Sequence, residues 1–288
     1  MEHLLHILWH GLLDSLKILP FLFFTYLLME LLEHKAGDRV QAAISKAGKA
    51  GPAIGGALGL IPQCGFSTMA AGLYAGHVIT PGTLLAVFLA TSDEMLPVFL
   101  GAGVSAGRIF TVLGLKLGIA LVTGFVTDLC LRGRIREMHV EDLCEEEHCH
   151  CERGVLRSAI HHTIHIFVFV LIINLLLTGA FELIGEARIA TAVNSVPVLG
   201  TVLAAVIGLI PNCAASVAIA TLWTHGVISG GAMLAGLLTG AGAGLLVLFR
   251  TNKHAKENLQ LLLILLAVGI VCGCLLDLTG LGALMQLS

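Results

Sequence analysis

Two short stretches carry the same unusual set of side chains. Pro62-Gln63-Cys64-Gly65-Phe66-Ser67 and Pro211-Asn212-Cys213-Ala214-Ala215-Ser216 each offer an amide oxygen, a sulfur and a hydroxyl in close succession. Proline stops an incoming helix, and the residues after it begin another whose N-terminus exposes unpaired N–H groups. Capping and packing alone would account for one such tip, because Ser and Asn cap well and Cys packs as a small apolar residue. Two tips with matching chemistry point instead to substrate contact through Gln63, Cys64, Ser67, Asn212, Cys213 and Ser216.

A third constellation is Thr91-Ser92-Asp93-Glu94-Met95, in the middle of an apolar segment. Two adjacent acids at bilayer depth are costly, and acids placed there mark ion pathways. Asp93 and Glu94 supply hard oxygen and Met95 a soft thioether. With Cys64 and Cys213 they form a donor set that suits Mn, Fe, Co or Zn better than Ca or Mg. The alternative is a helix kinked before Pro97 with its acids turned to water.

Cys144-Glu145-Glu146-Glu147-His148-Cys149-His150-Cys151 is dense in thiol and imidazole. Cys144, His148, Cys149, His150 and Cys151 read as a capture loop for soft or borderline metals. Their spacing fits no zinc finger, so a sensor or a plain linker stays open. The eight cysteines show no disulfide framework.

Candidates for coupling are Asp14, Lys17, Asp128, His165 and Asp277. His3, His6, His10, Asp14 and Lys17 share one helical stripe, and Asp14 can pair with Lys17. An interfacial helix with its polar face in water explains that stripe equally well. Asp128 and Asp277 sit at equivalent helix ends, where an interfacial position is the competing account.

The elements that must position these groups are membrane helices. Hydrophobic residues make up 57% of the 288-residue chain and charged residues 12%, with a mean hydropathy of +0.94. A soluble domain carries about 25% charged residues. The net charge of −3 leaves no footprint for nucleic acid, and the expected surroundings are lipid. Met1-Glu2-His3 lacks the basic start of a signal peptide, so the first apolar segment is expected to stay as a transmembrane helix.

Gly59-Leu60-Ile61-Pro62-Gln63-Cys64 recurs as Gly208-Leu209-Ile210-Pro211-Asn212-Cys213. At the same offset Ser67 matches Ser216, Tyr74 matches Trp223, Gly82 matches Gly231, Gly124 matches Gly273 and Asp128 matches Asp277. The acidic stretch is the exception, since its counterpart Gly240-Ala241-Gly242-Ala243-Gly244 has no acid.

Charge sets the expected topology. Loops 34–50, 132–157 and 251–256 hold the Lys and Arg clusters and should all be cytosolic. That is consistent only if 51–79 and 198–226 turn back as re-entrant hairpins. The expected fold is an all-α polytopic membrane protein of two inverted-topology repeats, 1–131 and 158–288. Each has three transmembrane helices and one hairpin, with 132–157 between them and both termini outside. This is the plan of secondary transporters, with irregular backbone near the midplane.

Asp14-Ser15-Leu16-Lys17 with Leu19-Pro20-Phe21-Leu22, Ile61-Pro62-Gln63-Cys64-Gly65-Phe66-Ser67, Leu73-Tyr74-Ala75-Gly76 and Thr91-Ser92-Asp93-Glu94-Met95 resemble a bacterial family of ten-TM heavy-metal exporters. Members are labelled manganese transporters or arsenic efflux proteins. The resemblance implies export of a metal or metalloid across the bacterial inner membrane.

The expected function is a secondary transporter exporting a divalent transition metal, Mn(II) first, by proton exchange and alternating access. An arsenite or organoarsenical permease using Cys64 and Cys213 is the alternative. A carrier of oxyanions or organic anions at the half-helix N-termini is the third. The metal is cargo, no resident cofactor is expected, and no motif marks an enzyme. A homodimer would give the motion a fixed frame.

Overall fold

The computed structural model describes residues 50–62, 65–92, 95–131, 155–184, 197–280 and 282, with individual positions between 12 and 27. Among them every regular element is helical. The helices are α1 (Gly51–Gly59), α2 (Gly65–Ala75), α3 (Pro81–Ala90), α4 (Met95–Gly101), α5 (Ala106–Cys130) and α6 (Val155–Ile184). They continue as α7 (Pro197–Gly208), α8 (Cys213–Thr224), α9 (Gly230–Thr239), α10 (Ala243–Thr251) and α11 (Ala255–Leu278). Five stretches are long and apolar enough to cross a bilayer: Pro81–Gly101, Ala106–Cys130, Ala159–Leu177, Gly230–Thr251 and Ala255–Leu278.

The long helices are apolar all round, as membrane spans are. On α5 the buried residues are Ile109, Val112, Lys116, Ala120, Gly124 and Thr127, while Phe110, Val122, Phe125 and Leu129 point outward. On α11 the buried stripe is Asn258, Leu261, Leu265, Gly269, Gly273 and Leu276. The two stripes coincide when 149 is added to each α5 number. Outward Phe and Leu side chains at these positions would be costly in water and are at home in lipid.

Local sequence explains where the helices begin and end. Thr80 caps α3 by accepting from the Thr83 amide at 3.1 Å, and Pro81 fits the first turn without losing a hydrogen bond. Ser229 does the same for α9 through the Ala232 amide at 3.0 Å. α2 ends with His77 at φ 55 and α8 with Gly226 at φ 71. At both ends the next amide reaches back at 2.8 Å, from Val78 to Leu73 O and from Val227 to Leu222 O.

α1 has 9 residues and α2 has 11, each too short to cross a bilayer alone. α7 and α8 have 12 each. The helices therefore end at Gly59 and at Gly208, shortly before Pro62 and Pro211, which withhold an amide.

The spans 81–101 and 230–251 are also broken, where the sequence leads one to expect a transmembrane helix in each half. α3 ends at Ala90 and α4 starts at Met95, with Thr91 turned to ψ 127. α9 ends at Thr239 and α10 starts at Ala243, with Gly242 at φ 54 and ψ −145. Only glycine adopts that conformation without strain.

Packing ties the halves together. α1 lies on α3 and α7 on α9, within each half. The second short helix crosses over: α2 packs on α10 and α8 on α4. Phe99 of α4 and Trp223 of α8 pack with centroids 4.7 Å apart, and the Tyr74 hydroxyl faces the Glu257 carboxylate.

Candidate functional site

All the helix breaks approach one another in the interior. A cavity of about 10 Å³, room for a single water or ion, is lined by Thr91, Ser92 and Met95 of the first break and by Cys213 and Ser216 of α8. Leu237, Gly240 and Gly242 close it from the second break. Met95 is 1% exposed, and Thr91 and Ser92 are buried. The Ser92 hydroxyl donates to Leu60 O at 3.1 Å, fixing the first break to the end of α1.

The lining chemistry is a thioether, a thiol and three hydroxyls within a shell of backbone. Met95 and Cys213 come from opposite halves. Sulfur of this kind selects soft and borderline metals. A larger hollow of about 250 Å³ between α1, α2 and α3 is lined mainly by apolar groups such as Leu58, Met69 and Leu73, with Thr80 and Thr83 at its wall. Its lining holds no ionisable residue.

Of the expected tip residues, Cys213 and Ser216 line the cavity. Asn212 is buried beside it and caps α8, its Oδ1 accepting from the Ala214 amide at 2.8 Å. Ser67 is fully buried against α10: a Cβ on Gly244 would lie 2.8 Å from the Ser67 Cβ. Gly244 is the counterpart of Met95, so Ser67 and Ser216 face matching positions. Gln63, Cys64, Asp93 and Glu94 lie outside the described residues, as do Asp14, Lys17 and the loop with Cys144, His148, Cys149, His150 and Cys151. Among the described residues no three His, Cys, Asp or Glu cluster as a metal site.

Asp128 and Asp277 have defined uses. The Asp128 carboxylate accepts from Thr80 Oγ1 at 2.7 Å and from the Gly82 amide at 2.8 Å. Asp277 accepts from Ser229 Oγ and the Gly231 amide, both at 2.8 Å, and from Thr201 Oγ1 at 3.1 Å. Each acid thus latches the end of a long helix to the N-terminus of a broken one, where negative charge is favourable. His165 is exposed, and its Nε2 lies 2.8 Å from Arg250 Nη2, whose guanidinium also covers the Phe169 ring.

The expectations above do not include Lys116. It is fully buried at mid-α5, and its Nζ donates to Thr91 O and, at 2.8 Å, to Leu237 O. A lone lysine in the centre of a 25-residue apolar helix is itself a sequence signal. Counting basic residues only in loops passes over it.

No curated protein and no solved structure matches the chain. A family model does, over residues 7–185, from the first apolar segment through the first set of breaks to the end of α6. A chain with membrane-spanning helices and a sulfur-lined interior cavity fits that model's description, and this multi-pass membrane protein belongs to the family described as "Putative, 10TM heavy-metal exporter".

Proposed function

We propose that this protein is a secondary transporter exporting a divalent transition-metal ion, with Mn(II) the first candidate. The observation that carries this reading is the cavity where both broken spans meet α8, with Met95 and Cys213 contributed by opposite halves. Asp93 and Glu94 fall in sequence between Ser92 and Met95, so hard oxygen can join the soft sulfur there. Gln63, Cys64, Asn212, Ser67 and Ser216 would complete or support the binding set, and the Cys144–Cys151 loop would gather metal in the cytosol.

The halves would be inverted repeats, with 51–79 and 198–226 as re-entrant hairpins. Support comes from helices too short to cross alone and from contacts that recur at an offset of 149. Alternating access would move the hairpins against the broken spans, driven by proton exchange, since metal binding displaces protons from its ligands. An arsenite permease is the second reading, and the observation favouring it is the Cys213 thiol at the cavity wall.

Uptake of radioactive Mn(II) into inside-out vesicles, with and without a pH gradient, tests the first reading. Accumulation that Asp93→Asn with Glu94→Gln abolishes supports it. Arsenite accumulation without Mn(II) accumulation, lost in Cys64→Ala with Cys213→Ala, overturns it in favour of the second.

A further inference from the structure

The ammonium of Lys116 joins the two halves at the point where both spans unwind. Two of its acceptors, Thr91 O and Leu237 O, belong to different halves, and both residues line the interior cavity. Leu237 O lies in the last turn of α9, where the amide of residue 241 would normally reach it. The Ala241 amide turns to Thr239 O at 2.9 Å instead. Carbonyls at a helix C-terminus carry the negative end of the helix dipole. The junction is therefore a carbonyl-lined seat for one cation, and the protein fills it with its own side chain.

The lysine is not repeated by the pseudo-symmetry. In the other half the counterpart of Lys116 is Leu265, fully buried and apolar. The Thr239 hydroxyl ties the end of α9 to α7, donating to Ala205 O at 2.7 Å. An ammonium at this depth carries a desolvation cost that a hydroxyl does not. Among the described residues, the helices packed most closely against α5 are α1, α3 and α9, and these three have no ionisable residue. The ionisable residues nearest in sequence to the seat are Asp93 and Glu94, just after Thr91.

We propose that Lys116 is a tethered cation: it occupies the seat between the breaks in the empty carrier and yields it when a metal ion binds in the adjoining cavity. The empty and loaded carriers then hold similar positive charge at the junction, so the empty form can complete its return. This role rests on the cavity being the cargo site. Exchange of metal for metal never passes through the empty form and does not need the lysine. Net transport does.

The test compares two assays in proteoliposomes holding the full chain. One is exchange of radioactive Mn(II) into vesicles preloaded with unlabelled Mn(II). The other is net uptake into metal-free vesicles. In Lys116→Gln, which keeps a hydrogen-bond donor without the charge, exchange is expected within about threefold of wild type while net uptake falls more than about tenfold. Apparent Mn(II) affinity rises, because an internal competitor is gone. Lys116→Arg keeps the charge and is expected to retain net uptake above the Gln variant. Equal loss of exchange and net uptake in a Gln variant that still binds Mn(II) would make Lys116 a structural tie and overturn the proposal. Unchanged net uptake in that variant overturns it too. If the Gln variant does not fold, net uptake in the Arg variant as low as in protein-free vesicles, with exchange intact, overturns the requirement for charge. A wild type that performs neither assay overturns the exporter reading itself, a result distinct from any Lys116 phenotype.

Discussion

Asp128 and Asp277 stand 149 residues apart and each holds the second residue of a broken span, Gly82 or Gly231, by its backbone amide at 2.8 Å. The neighbouring cap residue, Thr80 or Ser229, donates its hydroxyl to the other carboxylate oxygen. One device is thus built twice, fixing α5 to α3 and α11 to α9.

Removing either latch should destabilise its half. Asp128→Ala is expected to cost about 1–3 kcal/mol, because a helix N-terminus and a hydroxyl lose a charged acceptor. Asp277→Ala should cost more, since Thr201 also donates to it. Thermal unfolding in detergent, followed by tryptophan fluorescence, reads both. Equal stability of Asp277→Ala and wild type would make the latch incidental.

The glycines at the latches leave no room. A Cβ on Gly82 would overlap Gly124 O and the Asp128 carboxyl, and one on Gly231 would overlap Gly273 O and the Asp277 carboxyl. Gly82→Ala or Gly231→Ala should lower stability by roughly 1–3 kcal/mol or more by forcing the helices apart. Gly114→Ala and Gly118→Ala, on the open face of α5 with nothing within 4 Å, should be neutral or slightly stabilising. Expression level together with melting temperature separates the two groups.

Met95→Leu conserves volume in a buried position and should leave folding within about 1.5 kcal/mol of wild type. If the thioether is a ligand, metal affinity falls tenfold or more while the melting temperature of the metal-free protein barely moves. Titration calorimetry with Mn(II) and Cd(II) reads the change, and the softer ion should lose more. Unaltered affinity for both would remove Met95 from the site.

Arg250→Ala removes the contacts to His165 and Phe169. These groups are exposed or partly so, and the expected stability loss is about 0.5 kcal/mol. A transport rate unchanged in His165→Ala would leave that histidine outside the coupling machinery. A loss of pH-gradient dependence would place it inside.

Much of the architecture is legible in residue identities because close packing demands identity. Gly82 and Gly231, Gly124 and Gly273, and Asp128 and Asp277 recur because each contact tolerates no other side chain. The breaks after Ala90 and at 240–242 are harder to read. Thr91 and Ser92 look like polar interruptions of an apolar helix, and the unwinding depends on where Thr91 and Gly242 turn their backbone. Hydropathy does not report that. Cys213, Ser216 and Met95 are legible as a group because sulfur and hydroxyl are rare in such apolar surroundings. Lys116 escapes because its meaning lies in two carbonyls from distant segments. Gln63, Cys64, Asp93 and Glu94 lie outside the described residues, so their part in the site stands as proposed.

The crossing of α2 onto α10 and of α8 onto α4 bears on how the protein is made. The first half, once synthesised, lacks the surface that α2 and α4 will cover. Its partner helices emerge roughly 120 to 180 residues later, which at 5–20 residues per second is roughly 6–36 s of translation. During that interval α2 lies beside lipid, an insertase or a chaperone. The two halves are therefore a single cooperative assembly whose last-made helices complete the packing of the first-made ones, and truncation after α9 leaves α2 and α7 without a full seat.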